Sequence, residues 1–550
     1  MAVFSKFIKA PRTISNYLTS NMWGIDEAFP PYGGLISALS TLALCIASYY
    51  MMKWISGDVT VPIRDVSKTH NWKDVKITAK SWYCSICEEL LINGIGVYCD
   101  CCGVCSDPFC IKKANQRLPC KVITSKSEIQ LHHWVKGNLP LGATCDVCHE
   151  ECAVEPGLVD FQCCWCNRAV HEYCLSKLSE DCDFGPFRDM IVPPWCVQVA
   201  RRKSSIHRHM LLRGVKHPGW KNWRPLIVVA NRKSGNNDGA LILSEFRRFL
   251  NPAQVLDLAE RPPAAALQWS ILMAPERVTL LAAGGDGTVA WILTTAYKLD
   301  LEPDPAVAIF PLGTGNDLSR VLGWGKGSSS DFDLHSILTK VQNAKRSRID
   351  RWRIEILPYR HLSNLGIRMP AKSLYMYNYL SIGVDAQVAL DFHKARGSRF
   401  YVFGNRIFNK MLYLCFGTQQ VVTADCRNLE KRLELFLDGK LVVLPELESV
   451  VVLNIPSWGA GVDLWGSIPD SPSQSYNDGV LEVLGIYSSF HIAQLQVGLS
   501  KPHRIGQAKN VEIHLKAKAP VQVDGEPWEQ PPAQLKISLV GHATILVNQL

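Results

Sequence analysis

The chain has 550 residues, 47% hydrophobic and 20% charged, a globular balance with room for three or four domains that argues against a disordered or fibrous protein. Its formal net charge of +9 suits an anionic membrane surface; no DNA-reading motif accompanies it, so no nucleic-acid partner is expected. Sixteen of the 20 cysteines lie between Cys84 and Cys182 among histidines, which predicts metal sites in a reducing compartment and argues against a secreted disulfide scaffold.

The first predicted element is an apolar segment at 28–53. Ala28 to Met52 carry no charged side chain, and Gly33–Met52 is long enough to cross a bilayer core. Lys6, Lys9 and Arg12 precede it, and Trp23, Tyr32, Tyr49, Tyr50 and Trp54 bracket it like interfacial anchors. No small-x-small cleavage site follows, which argues against a signal peptide. The segment is read as a membrane-inserted helix; Gly33, Gly34, Ser37, Ser40, Thr41 and Ser48 leave a buried or re-entrant segment open.

Two cysteine-rich modules follow, at 69–121 and 131–183, and form the internal repeat. The second contains His132, Cys145, Cys148, Cys163, Cys166, His171, Cys174 and Cys182, with two Cys-x-x-Cys pairs. Eight such ligands can close two tetrahedral zinc sites, and closed four-ligand sites are structural. This module resembles the protein-kinase-C-type, diacylglycerol/phorbol-ester zinc finger. The resemblance implies one ion on His132, Cys163, Cys166 and Cys182, and another on Cys145, Cys148, His171 and Cys174. The first module is a looser copy: His70, Cys84, Cys87, Cys99, Cys102, Asp107, Cys110 and Cys120. Asp107 stands where the second histidine should be. A carboxylate can ligate zinc, and Cys101 and Cys105 are alternative ligands, so up to four structural Zn²⁺ are expected. Fingers of this type that bind diacylglycerol carry Pro-Thr before the first cysteine pair and Gln-Gly before the second. Neither module has either pair, so the resemblance implies zinc and a membrane- or protein-docking surface without high-affinity diacylglycerol binding.

Residues 184–221, with the basic run Arg201–His209, read as a solvated linker in preference to a lipid-headgroup patch. From 222 to 360, strand-like runs at Leu226–Ala230, Val278–Ala282 and Ala306–Pro311 alternate with helix-like ones. That alternation predicts a parallel α/β sheet with ligand loops at the strand C-termini. From 374 to 545, short runs at Leu433–Leu437, Val450–Ile455, Leu481–Ile486, Val511–Leu515 and Leu535–Val540 predict a β-rich second lobe. The fold class expected is multi-domain: an N-terminal membrane helix, two small zinc-binding α+β fingers, and an α/β nucleotide-binding lobe followed by a β-rich accessory lobe.

Three loops at strand ends carry phosphate chemistry, and no P-loop or protein-kinase signature is present. Asn231-Arg-Lys-Ser-Gly235 offers amides, hydroxyls and two cations, with Asn231 and Ser234 as candidate ligand contacts. In Gly284-Gly285-Asp286-Gly287-Thr288 the glycines are expected to take positive φ and bring backbone amides to phosphate at a helix N-terminus. Asp286 would repel phosphate by itself, and makes sense if a divalent metal or a substrate hydroxyl lies between them. Pro311–Arg320 contributes Gly313 and Gly315 for backbone approach, Thr314 and Asn316 as donors, and Asp317.

These loops resemble the catalytic domain of the diacylglycerol kinase family. Gly-Gly-Asp-Gly-Thr and Pro311-Leu-Gly-Thr-Gly-Asn-Asp-Leu-Ser-Arg-Val-Leu-Gly-Trp-Gly325 are similar to its signatures. Asn378–Asp385, Asn454–Gly461, Asp463–Gly466, Arg504–Gln507 and Gln522–Trp528 resemble its accessory lobe, with Ala460 interrupting a usual glycine run. An apolar helix, two fingers and one catalytic region resemble the epsilon type. The resemblance implies ATP- and Mg²⁺-dependent phosphorylation of 1,2-diacylglycerol to phosphatidate, which ends diacylglycerol signalling and feeds phosphoinositide resynthesis. The epsilon type further implies a preference for a polyunsaturated chain at the second glycerol position. Asp286 would organise metal and phosphates. The Glu of an Asp-Gly-Glu motif in bacterial lipid-kinase relatives is the proposed proton acceptor; it matches Asp524-Gly525-Glu526, so Glu526 would be the base with Asp524 beside it. Asp478-Gly479-Val480 resembles their second Mg²⁺ site. Asp-Gly is also the strongest short hairpin signal, so an ordinary turn at 524–525 remains open. ATP chemistry and thiolate ligands place fingers and kinase in the cytosol, at endoplasmic reticulum or plasma membrane. The competing expectations are a sphingoid-base or ceramide kinase, and a membrane-anchored zinc-finger scaffold with an inactive kinase fold.

Overall fold

The computed structural model describes residues 61–64, 70–74, 81–91, 96–201, 209–235, 238–327, 332–359, 361–362, 367–368, 371–397, 426–466 and 473–549, with Leu42 and Leu44 in helical conformation. The chain divides into two compact units, Met1–Val59 and Thr60–Leu550. Apart from Leu42 and Leu44, the apolar segment expected at 28–53 lies outside the described residues. Among the described residues no helix is long and apolar enough to cross a membrane.

The nucleotide lobe is built on strands β1 (Leu226–Ala230), β2 (Val255–Asp257), β3 (Thr279–Gly284) and β4 (Ala306–Pro311), in the order β2-β1-β3-β4. They are parallel, with Ala230 opposite Ala283 and Gly284 opposite Pro311. Every residue of β1, β3 and β4 is buried, as expected when helices cover both faces of a parallel sheet. Helix α1 (Asp238–Phe249) follows the first loop and turns Ile242, Leu243, Phe246 and Phe249 inward. Helices α2 (Asp286–Lys298) and α3 (Asp317–Val321) follow the second and third loops.

The two lobes share a sheet that a linear division of the chain hides. Strand β5 (Lys345–Pro358) pairs antiparallel with the long C-terminal strand β9 (Ala533–Val547) from Lys345–Val547 to Pro358–Ala533. Ile545 of β9 also pairs with Val307 of β4, so the last strand enters the nucleotide lobe. On its other side β9 pairs with Asn510–Leu515, which leads to Leu433–Leu437 and Lys440–Val442. The boundary expected between 222–360 and 374–545 therefore cuts across one ten-stranded sheet. A second, antiparallel sheet runs His503–Ala508, Leu481–Ile486, Ser449–Leu453, β6 (Tyr379–Gly383), β7 (Ala519–Val523) and β8 (Glu526–Gln530). Trp352, Ile354, Leu380, Val450, Val521, Ile513 and Leu535 form a buried core shared by the two sheets.

The fingers repeat one another in space. Trp72 pairs with Cys99 in the first as Trp134 pairs with Cys163 in the second. Residues 184–201 and 209–221 differ from the linker expectation, while 202–208 of the basic run lie outside the described residues: Val197–Arg201 pairs with His209–Val215, which also pairs with Val61–Arg64. Phe184, Phe187, Ile191, Val192 and Cys196 are buried and join Trp165 of the second finger to β1 and α1 in one apolar cluster. Basic side chains gave the run its linker character, while the apolar residues before it supply the packing.

Candidate active site and metal centres

The three phosphate loops meet at the carboxyl ends of β1, β3 and β4, where open α/β sheets bind ligands. Gly284, Gly285 and Gly287 lie outside the positive-φ region, contrary to the expectation, and so do Gly313 and Gly315, which were expected to allow backbone approach. Close approach is the reason for several of them. A Cβ on Gly313 would lie 2.7 Å from the Cα of Gly285 and 2.7 Å from Asn316 Oδ1. A Cβ on Gly284 would lie 2.6 Å from the Thr288 side chain, which packs beneath it. In the first loop Ser234 N donates to the Asn231 carbonyl at 2.9 Å, and Asn231 Oδ1 accepts from Lys233 N at 3.0 Å. Arg232 is held away by Asp257 and Glu260.

Asp286, the first residue of α2, accepts from Asp317 N and Leu318 N at 3.0 Å each, fixing the N-terminus of α3. Burial and then the charge of Asp317 push its carboxyl up to about 6, against those amides and the Asn378 side chain. Asp317 is buried, and its carboxylate accepts from Ser457 Oγ at 2.6 Å, Ala460 N and Gly461 N. Those bonds tie the nucleotide lobe to the accessory lobe, so Asp317 joins the lobes where a contact to cofactor was expected. Asn316 takes a left-handed conformation (φ 54°) and donates from Nδ2 to Gly313 O and Lys326 O. Among the described residues, the buried Oδ1 atoms of Asn316 and Asn378 have no hydrogen-bond partner. Two orphan acceptors beside an amide cradle fit a ligand that brings hydroxyls or metal-bound water.

Asp524 and Gly525 are the two-residue turn joining β7 to β8, both at positive φ (49° and 84°), as a type I′ hairpin requires. The turn reading holds. The buried Asp524 carboxylate accepts from the amides of Tyr377, Asn378 and Tyr379 at 2.9, 2.8 and 3.1 Å. It positions the segment carrying Asn378. Burial pushes the Asp524 carboxyl up to about 7 against the three amides, with Asp286 adding to the rise. Glu526 is exposed, and its Oε1 would lie 2.8 Å from a Cβ on Gly287, at the N-terminus of α2. The hairpin thus delivers one free carboxylate to the cradle.

Asp478 lies in the turn before the strand Leu481–Ile486. It is exposed, accepts from Val480 N, and adjoins Asp350, whose buried carboxylate accepts from Gly479 N at 2.7 Å and meets His542 Nε2 at 3.1 Å. Sequence reasoning left out Asn378, Ser457 and Arg320, whose Nε donates to Gly315 O at 3.1 Å. Asn378 and Ser457 lie inside quoted accessory motifs, and a search for polar side chains there would have found them.

The sixteen expected metal ligands form four groups: His70, Cys99, Cys102 and Cys120; Cys84, Cys87, Asp107 and Cys110; His132, Cys163, Cys166 and Cys182; Cys145, Cys148, His171 and Cys174. Ligand atoms within each group lie within 4.8 Å of one another. His70 and His171 present Nδ1 to a thiol while Nε2 meets the carbonyl of Leu118 or Glu151, the outer-sphere bond that orients a zinc-bound imidazole. Asp107 Oδ2 lies 3.3 Å from Cys87 Sγ; burial works against its charge, but Cys110, Cys84 and Cys87 hold its carboxyl well below the usual range. Cys101 and Cys105 belong to no group: their thiols turn to Asp100 and to the Gly103 carbonyl. These donor sets fit tetrahedral zinc.

Residues 225–350 match the family model of the diacylglycerol kinase catalytic domain, 375–527 that of the diacylglycerol kinase accessory domain, and 132–185 that of the phorbol ester/diacylglycerol-binding (C1) domain. A probable diacylglycerol kinase 3 of Caenorhabditis elegans is 32% identical over 523 residues, 87% of this chain and 64% of the relative. Human diacylglycerol kinase theta is 42% identical over 326 residues, 58% of this chain and 34% of the relative. The chain thus spans less than two-thirds of either relative's length, and neither name bears on the epsilon type. A crystal structure of a putative diacylglycerol kinase from Bacillus anthracis covers 59% of this chain and 97% of its own at 18% identity, with a TM-score of 0.38.

Proposed function

Because the chain belongs to the diacylglycerol kinase family through its catalytic and accessory domains, we propose that it transfers the γ-phosphoryl group of ATP to the free hydroxyl of 1,2-diacylglycerol, giving phosphatidate and ADP. The observation that carries this reading is the approach of Glu526 to Gly287. It sets a free carboxylate of the accessory lobe against the glycine loops and helix N-terminus suited to phosphates. The lipid hydroxyl oxygen attacks the γ-phosphorus, the bond from that phosphorus to the bridging oxygen of ADP breaks, and Glu526 accepts the hydroxyl proton. The loops around Asn231, Ser234, Gly285, Gly313 and Thr314 orient the phosphates. Asp286, with the orphan oxygens of Asn316 and Asn378 nearby, would hold Mg²⁺; the ion supplies charge compensation for the transferring group.

The four donor groups are proposed to carry structural zinc, and the segment at 28–53 to insert in the membrane of the endoplasmic reticulum or plasma membrane with the kinase on the cytosolic side. The epsilon type and its polyunsaturated substrate belong to the same proposal. The test is phosphorylation by labelled ATP and Mg²⁺ of diacylglycerol, sphingosine or ceramide in mixed micelles. Labelled phosphatidate alone is expected. A labelled sphingoid product would move the assignment to that acceptor, and no labelled lipid at all would make the chain a scaffold.

A further inference from the structure

The two fingers grip one end of α1, and the other end of α1 carries the first phosphate loop. Lys121, next to the metal-ligand candidate Cys120, is fully buried. Its Nζ donates to the carbonyls of Cys164 at 2.8 Å, Arg248 at 2.8 Å and Phe249 at 3.1 Å, and sits 4.1 Å from the Trp165 ring centroid. An ammonium has three donors, and all three are used. Cys164 lies between Cys163 and Cys166 in the second finger. Arg248 and Phe249 are the last residues of α1, where carbonyls lack helical partners and the helix dipole favours a cation. One side chain therefore joins the first finger, the second finger and the kinase lobe.

Other bonds close the same joint. Arg247 pairs at 2.9 Å with Asp100, which follows Cys99, and Arg248 donates to Gln162, which precedes Cys163. Tyr98 OH donates to Ser244 Oγ at 3.1 Å, and Asn251 Nδ2 to the Ile123 carbonyl at 3.0 Å. At the opposite end of the helix Gly239 N donates to Ser234 O at 3.1 Å, and a Cβ on Gly239 would lie 2.0 Å from the Asn231 carbonyl oxygen. A Cβ on Gly235 would lie 3.2 Å from the Leu312 carbonyl of the third loop.

We propose that Lys121 is a positioning residue for the loop Asn231–Gly235: through it the finger pair sets α1, and α1 sets the loop that receives nucleotide phosphate. The proposal rests on the nucleotide reading of that loop and not on the identity of the acceptor. A second outcome is available for the same residue, a purely structural one, and the measurement separates the two. In the full chain, Lys121→Met keeps the length and apolar stem but removes the three donors. Dissociation of a fluorescent ATP analogue and KM for ATP are expected to rise between about tenfold and a hundredfold, the range for a small misplacement of a binding group. KM for diacylglycerol in micelles is expected to stay within about twofold. Arg247→Ala should act in the same direction, and Arg247→Lys, which keeps a cation for Asp100, should restore most of the nucleotide affinity; this pair serves if Lys121→Met does not fold. A lower melting temperature with unchanged nucleotide affinity overturns the proposal, as does a rise confined to KM for the lipid. Because nucleotide binding is read without an acceptor, a failed lipid assignment leaves this readout unaffected.

Discussion

Asp524 and Glu526 sit two residues apart on one hairpin, yet the fold gives them opposite environments. The φ of 49° at Asp524 turns its carboxylate into three backbone amides, while Glu526, at the start of β8, stays exposed beside Gly287. A base needs the second arrangement, because it must meet a proton outside the protein's own hydrogen bonds. Glu526→Gln is expected to lower kcat by about 10² to 10⁴, the usual worth of a general base, with KM for ATP nearly unchanged. Steady-state kinetics at saturating lipid decide the matter, and a mutant that raises KM for ATP while keeping kcat would make Glu526 a binding residue. Asp524 has a different signature. Its carboxyl is lifted to about 7, chiefly by burial, so the folded protein keeps a proton there that the unfolded chain releases near pH 4. The stability tied to that proton is complete below about pH 4 and is lost as pH rises through about 7. The melting temperature should fall between pH 5 and pH 8, and less steeply in Asp524→Asn. Parallel slopes for the two proteins would count against this account.

At the scale of elements, the turn at 458–461 closes Asp317 between the lobes. Gly459, Ala460 and Gly461 all adopt positive φ, at 55°, 77° and 112°. Two of them are glycines, and Ala460 bears the cost of an L side chain in left-handed backbone, about 1 kcal/mol. Ala460→Gly should raise stability by up to about 1 kcal/mol, and the same activity should be retained, since the contacts to Asp317 come from the backbone amides. Thermal unfolding with the activity assay checks both, and a less stable variant would mean that the Ala460 methyl group packs usefully. Elements of this lobe were legible where burial was uniform. Leu226–Ala230, Ala306–Pro311, Leu433–Leu437 and Leu481–Ile486 form the strands that their apolar runs predict. Strand β9 was seen only in part, because alternation fades where His542 and Gly541 interrupt it, and no local pattern tells that Ile545 will pair with Val307 in the other lobe. The same limit applies to the site. Glycine spacing located the three loops, but the bonds from Asp317 to Ser457 and from Asp524 to Tyr377–Tyr379 span more than a hundred residues and leave no trace in spacing.

At the scale of the whole molecule, the fingers and kinase lobe are parts of one interior. Trp165, Phe184, Ile191 and Leu212 share an apolar cluster with Leu226, Phe246 and Phe249. Two fully buried amides extend the joint: Asn251 donates to the carbonyls of Ile123 and Val192, while Gln254 donates to Met190 O and accepts from Val192 N. A chain cut to residues 222–550 keeps every catalytic candidate, and the family models alone would suggest that it suffices. It loses the Ile123, Val192 and Met190 partners of Asn251 and Gln254, although Gln254 keeps Leu226 O, and it uncovers the apolar side chains of Phe246 and Phe249. Set against a net stability of about 5–15 kcal/mol, those losses leave little margin. The expectation is that residues 222–550 aggregate, whereas residues 60–550, with fingers and zinc, elute as a discrete species on size exclusion. Stripping zinc from the longer chain with a strong chelator should then lower the unfolding temperature of the kinase lobe itself, because the ligand groups at Cys99–Cys102 and Cys163–Cys166 frame the residues that contact α1. A kinase lobe whose melting is indifferent to both truncation and chelation would show that the shared interior contributes packing without stability.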